Sequence, residues 1–101
     1  DGTTGLIGAG STVTGDFRLV GNYPNPFNPA TTISYILAKP TRVRIEIVDV
    51  LGRVLESTLE QEQAAGEHHF PFSAHQLAGG VYFYVVRAGA QTATGRMILL
   101  K

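Results

Sequence analysis

With 101 residues, 44% of them apolar and 16% charged, the chain has enough apolar side chain for one modest core and too little length for two. Eight basic residues balance eight acidic ones, so the concentrated positive field that nucleic acid or an anionic membrane would attract is missing, and no nucleic-acid partner is expected. The absence of cysteine excludes a disulfide framework and a thiolate metal site, and no apolar run approaches the roughly 18 residues of a membrane-spanning helix.

Residues 1–15 hold five glycines and five Ser/Thr against three branched aliphatics, Leu6, Ile7 and Val13. Ordering such a stretch costs backbone entropy that its few apolar side chains do not repay, so residues 1–16 are expected to form a flexible linker to a preceding domain, with the folded body at 17–101. The start, Asp1-Gly2-Thr3-Thr4-Gly5, has neither an initiator Met nor the basic and apolar regions of a secretory signal, as expected of an internal or C-terminal piece of a longer polypeptide.

Phe17-Arg18-Leu19-Val20 opens the strand-like part of the chain. It runs into Asn22-Tyr23-Pro24-Asn25-Pro26-Phe27-Asn28-Pro29, with three prolines in six residues. Each proline fixes its own φ, deletes an amide donor and disfavours helix in the residue before it, which predicts a stiff, extended lead-in to the next strand. Asn25 and Asn28 are expected to close Asx-type turns over this segment, making it a stability device. Ile33, Tyr35 and Leu37 then share one parity. Val43, Ile45 and Ile47 share another, interleaved with Arg42, Arg44 and Glu46, as in a strand with one buried and one wet face. Lys39-Pro40-Thr41 separates the two as a tight connection, and Leu51-Gly52-Arg53 reads as a hairpin turn with Gly52 free to take positive φ.

Leu55 to Ala65 contains helix-favouring Glu, Gln and Ala, but a lone helix would be out of place in so β-rich a chain; a strand from Val54 to about Glu60 and a loop through Gly66 are predicted instead. His68, Phe70 and Phe72 alternate as a further strand, Ser73 to Leu77 reads as a short helical turn ending at Gly79-Gly80, and Val81–Val86 and Met97–Leu100 are apolar strands. About seven strands spaced by Gly and Pro signals predict an all-β, antiparallel sandwich. Met97–Leu100, flanked by Arg96 and Lys101, is expected either to be covered on both sides as an inner strand or to offer its edge to a partner by strand addition. Tyr82 or Tyr84 is a candidate for a hydroxyl that bonds back to the backbone.

Nothing in this pattern asks for catalysis, a metal, a cofactor or a small-molecule substrate. His68 and His69 are adjacent, so in a strand they face opposite ways and cannot chelate one ion together, and His75 is the only other histidine. Ser34, His68 and Asp49 supply the residue types of a hydrolytic triad without a nucleophile elbow. Tyr23, Phe27, Tyr82, Phe83 and Tyr84 would, if exposed, offer the aromatic platform of a carbohydrate-binding module, the alternative reading.

Asn22-Tyr23-Pro24-Asn25-Pro26-Phe27-Asn28-Pro29-Ala30-Thr31-Thr32-Ile33-Ser34-Tyr35, Val48-Asp49-Val50-Leu51-Gly52-Arg53-Val54, Ala65-Gly66-Glu67-His68, Leu77-Ala78-Gly79-Gly80-Val81-Tyr82-Phe83-Tyr84 and Gly95-Arg96-Met97-Ile98-Leu99-Leu100-Lys101, in this order, resemble the type A C-terminal sorting domain of the type IX secretion system. An immunoglobulin-like domain of the flagellar hook-capping protein has a similar pattern, which keeps a hook-cap-like assembly role as a further alternative. The resemblance implies a non-enzymatic immunoglobulin-like module at the end of a secreted cargo such as a hydrolase or adhesin. It also implies recognition by an outer-membrane translocon, a surface sortase as second partner, and a final place outside a Gram-negative cell, secreted or at its surface. Carried over to this chain, the sorting-signal candidates are Gly79, Gly80, Val81 and Tyr82, with Arg96, Met97, Ile98, Leu99, Leu100 and Lys101. The structural motif comprises Asn22, Pro24, Asn25, Pro26, Phe27, Asn28 and Pro29, with Gly52 and Arg53. Arg96 departs from the family pattern, in which Lys is common.

Overall fold

The computed structural model describes residues 17–101, and the expected linker at 1–16 lies outside them. The period-two alternation is realised directly. In β2 (Ala30–Leu37) Thr31, Ile33, Tyr35 and Leu37 point inward, and in β3 (Thr41–Val48) Val43, Ile45 and Ile47 do so while Arg42 and Arg44 stay in water. The remaining strands are β1 (Phe17–Tyr23), β4 (Val54–Ser57), β5 (Gln61–Gln63), β6 (Gly66–Ser73), β7 (Gly80–Ala88) and β8 (Gln91–Leu99). No helix occurs among the described residues.

The strands form two antiparallel sheets, one ordered β1-β2-β6 and the other β4-β3-β7-β8 with β5 also paired to β3. Their inner faces share one core. Phe17, Ile33, Tyr35, Leu37 and Phe72 come from the first sheet, and Val43, Ile45, Ile47, Tyr82, Tyr84, Val86, Met97 and Leu99 from the second. Because β2 and β3 belong to different sheets, the short connection at Lys39-Pro40 carries the chain across the sandwich and does not close a hairpin.

Three local expectations are corrected. The strand predicted from Val54 to Glu60 ends at Ser57, and the loop predicted through Gly66 contains a second short strand, β5; the break comes where Thr58 turns both its amide and its hydroxyl to Ile45, Thr58 N–H donating to the Ile45 carbonyl (2.9 Å) and Ile45 N–H to Thr58 Oγ1 (3.0 Å). The helical turn expected at Ser73–Leu77 is a single turn in which Leu77 N–H donates to the Ala74 carbonyl (3.2 Å), too short to propagate a helix. The proline segment is not an extended lead-in. It bends through residues 24–29, its three X-Pro bonds are cis, and it is tied down by Phe27 in the core and, at its end, by the Ala74 amide on the Pro29 carbonyl (2.9 Å).

The hairpin turn between β3 and β4 forms where it was expected. Gly52 takes φ +84°, a region costly for any side chain, and Asp49 organises the loop by accepting from the Leu51 and Arg53 amides (both 2.9 Å) and from Arg53 Nε (2.8 Å). The Arg53 amide, followed by its guanidinium and the Leu51 amide, outweighs the opposing desolvation and holds the Asp49 carboxyl below its usual value of 3.8.

Candidate functional site

The two candidate segments, 79–82 and 96–101, lie on consecutive strands and are brought side by side by the hairpin between them. β7 and β8 form a long hairpin whose register sets Gly80 opposite Leu99, Val81 opposite Ile98 and Tyr82 opposite Met97. Pleating then divides the candidates between the two faces. Tyr82, Met97 and Leu99 point into the core, whereas Val81, Arg96, Leu100 and Lys101 are exposed and Ile98 is half-buried on the outer side.

Outward-facing side chains extend this surface across the sheet. Val54, Val48, Phe83 and Arg96 stand in one cross-strand row through β4, β3, β7 and β8, with Val81 and Ile98 in the next. Farther along the same face the character changes. Glu46 is ion-paired with Arg87 (3.3 Å) and Arg44 (3.7 Å), so that end carries charges of both signs, whereas around Val81 and Ile98 the face is apolar with basic Arg96 beside it.

The Gly79-Gly80 pair has a steric reason. A Cβ on Gly79 would stand 3.2 Å from Lys101 Cγ and 3.3 Å from the Leu99 carbonyl, so the loop before β7 lies against the chain's last residues, and Lys101 Nζ donates to the His75 carbonyl (3.4 Å). Gly80 follows at φ +151°. Tyr82 holds the same loop from inside, its hydroxyl donating to the Ala78 carbonyl (2.6 Å). Tyr84 has a different task, covering Gly95 on β8, and burial raises its phenol pKa.

The proline motif meets the terminal strand along the edge that β7 leaves free. Phe27 N–H donates to the Ile98 carbonyl (2.9 Å) and Leu100 N–H to the Phe27 carbonyl (2.8 Å). Asn25 Nδ2 donates to the Arg96 carbonyl (3.1 Å), and Ile98 N–H donates to Asn25 Oδ1 (3.1 Å). Asn25 therefore bonds to backbone more than seventy residues away in sequence and does not close an Asx-type turn on its own backbone, and no such turn bond is made by Asn28. Behind it, Thr31, the one buried polar residue among those described, donates to the Pro24 carbonyl (2.8 Å) and accepts from Asn22 Nδ2 (3.2 Å). Phe27, 1% exposed, meets Phe72 edge-on and anchors the loop. Thr31 was missed in the sequence because its neighbours read as an ordinary strand; its inward parity was the available signal.

The catalytic and carbohydrate readings find no support in this geometry. Ser34 Oγ bonds His69 Nδ1 (2.8 Å), while His68 lies on the opposite face stacked on Tyr35, and Asp49 is engaged in its turn with Arg53. No group of three His, Asp or Glu among the described residues is placed to hold a metal. Of the five aromatics, Phe27, Tyr82 and Tyr84 are buried and Phe83 is half-buried, leaving Tyr23 alone and no platform.

Residues 22–100 match a family model described as a secretion system C-terminal sorting domain. No curated protein matches the chain. Among solved structures it is similar to part of Pseudomonas fluorescens alkylpurine DNA glycosylase AlkC bound to DNA containing an abasic site analog. That similarity has a TM-score of 0.54 and 13% identity over 88% of this chain and 32% of that one, which is a likeness of fold alone.

Proposed function

The chain belongs to the type IX secretion system C-terminal sorting domains, non-catalytic modules that direct attached cargo through that export pathway, and from this premise we propose which surface is read. The reading surface is the apolar-basic corner where β7 and β8 meet the chain end, formed by Val81, Arg96, Ile98, Leu100 and Lys101. One observation carries this reading: the β7–β8 register brings both candidate segments onto one outer face, whereas Tyr82, Met97 and Leu99 build the core beneath it. The partner is an outer-membrane translocon, with a surface sortase acting afterwards, and the cargo ends up outside the cell, secreted or at its surface. Residues 1–16 serve as the linker to that cargo. The body is an immunoglobulin-like sandwich, a reading supported by the two antiparallel sheets and by the Tyr82 hydroxyl returning to the backbone four residues upstream.

Exposed substitutions test this better than truncation does, because removing 96–101 also removes Met97 and Leu99 from the core. A reporter carrying residues 1–101 at its C-terminus is expected to be exported by a host with the machinery. In the Arg96→Glu/Lys101→Glu variant export should fall at least about tenfold while stability stays within about 0.5 kcal/mol of the parent, as surface changes generally do. Undiminished export of that variant would exclude this corner as the signal.

A further inference from the structure

A strand that ends a sheet leaves every second amide and carbonyl on its open side without a partner, and such an edge is a template for any passing strand. On β8 the groups facing that side include the Arg96 carbonyl, both backbone groups of Ile98 and the Leu100 amide, as their bonds to the proline segment and not to β7 show. All four are taken from within the chain. Phe27 provides one amide and one carbonyl from its backbone, as a neighbouring strand would. The other two bonds are made by the Asn25 side chain, whose carboxamide carries the donor and acceptor of a peptide unit. Its second N–H donates to Asn22 Oδ1 (3.2 Å), which fixes the amide plane toward β8.

We propose that Asn25 is a positioning residue for sorting: its carboxamide acts as a surrogate peptide unit that, together with the Phe27 backbone, closes the edge of β8 from Arg96 to Leu100, so that the terminal segment is presented by its outer side chains and not by its edge. This rests on the reading surface proposed above and specifies how a partner reaches it. A strand approaching the edge must first displace Asn25 and draw Phe27 out from beside Phe72, whereas a surface that grips Val81, Arg96, Ile98 and Leu100 needs no such opening. The opening motif and the terminal motif thus form one unit despite their separation in sequence.

Asn25→Ala in the 101-residue chain tests the proposal through backbone amide exchange together with reporter export. Losing the acceptor should lower protection of the Ile98 amide roughly five- to tenfold, the scale of one hydrogen bond, while the Val86 amide in the middle of the sheet keeps its protection. Export should fall with it. Unchanged Ile98 protection, or export that holds or rises once that amide is open, would overturn the proposal; a rise would mean that the edge itself is read by strand addition. Asn25→Asp provides an independent arm should the alanine variant fail to fold. Its carboxylate sets an acceptor against the Arg96 carbonyl at neutral pH, and protonation restores a donor, so Ile98 protection should recover on acidification. A pH-independent Ile98 protection factor in Asn25→Asp would count against the surrogate-peptide role. Normal export of Arg96→Glu/Lys101→Glu, by contrast, would remove the reading surface while leaving the Asn25 exchange result standing, so the two failures are distinguishable.

Discussion

At Gly95 one missing methyl group decides how two strands meet. It pairs across the hairpin with Tyr84, and a Cβ there would overlap Tyr84 Cζ and Oη, so the ring can lie over the glycine backbone only because nothing projects from it. Gly95→Ala must push a buried ring out of place and should cost about 1–3 kcal/mol, measurable as a lower urea midpoint. The penalty should shrink in a Tyr84→Ala background, because the two changes share one contact. Tyr82, two residues earlier, faces the same way with a different partner, the Ala78 carbonyl, and so restrains the loop beside Lys101 instead of the strand. Both tyrosines are visible in the sequence as inward aromatics. Which one bonds to backbone and which covers a glycine depends on what lies opposite each, and that is a matter of register.

The β3–β4 turn is the element whose stability should respond to pH. Three donors converge on the Asp49 carboxylate and lower its folded-state pKa, the Arg53 amide first, so its contribution is fully present above the unfolded carboxyl's range. It is lost as pH falls from the usual 3.8 through the lower folded value. Asp49→Asn should therefore be less stable than the parent near neutral pH and should converge with it in strong acid, as read from denaturant midpoints at the two pH values. A gap of equal size at both would show that the charge contributes nothing. The turn's position is legible from Gly52, but Asp49 as its organiser is not, because a carboxylate beside an exposed turn gives no local sign of where its acceptor oxygens point.

For the molecule as a whole, the chain's two motif-bearing regions stabilise each other. Phe27 is the apolar anchor of the proline segment, and emptying its site by Phe27→Ala should cost about 3–5 kcal/mol. That is a large share of the 5–15 kcal/mol typical of a domain's net stability. The substitution should also raise exchange at the Leu100 amide, which donates to the Phe27 carbonyl, since that backbone loses its mooring. Cooperative loss of β1–β3 protection in the same variant would mark the sandwich as a single unit, whereas loss confined to β8 would mark the proline segment as a separable cover. An unchanged melting temperature would be incompatible with the packing described for Phe27.

The sequence alone settled what depends on near neighbours. The alternation of Ile33, Tyr35 and Leu37 and of Val43, Ile45 and Ile47 specifies strands with one inner face, the absent cysteines exclude one class of scaffold, and Gly52 marks a turn, because side-chain parity and backbone sterics act over a few residues. Its ordered motifs also pointed to the family. Tertiary structure decided what depends on distant partners: that the polar stretch Gln91–Gly95, without an apolar pattern of its own, is the first half of β8; that 54–63 breaks into two strands at Thr58; and that Asn25 bonds to the backbone of Arg96 and Ile98 and not to that of its own turn. The physical reason is the same in each case. An edge strand or a carboxamide takes the conformation that satisfies its hydrogen bonds, and those bonds end on residues that only folding brings within about 3 Å.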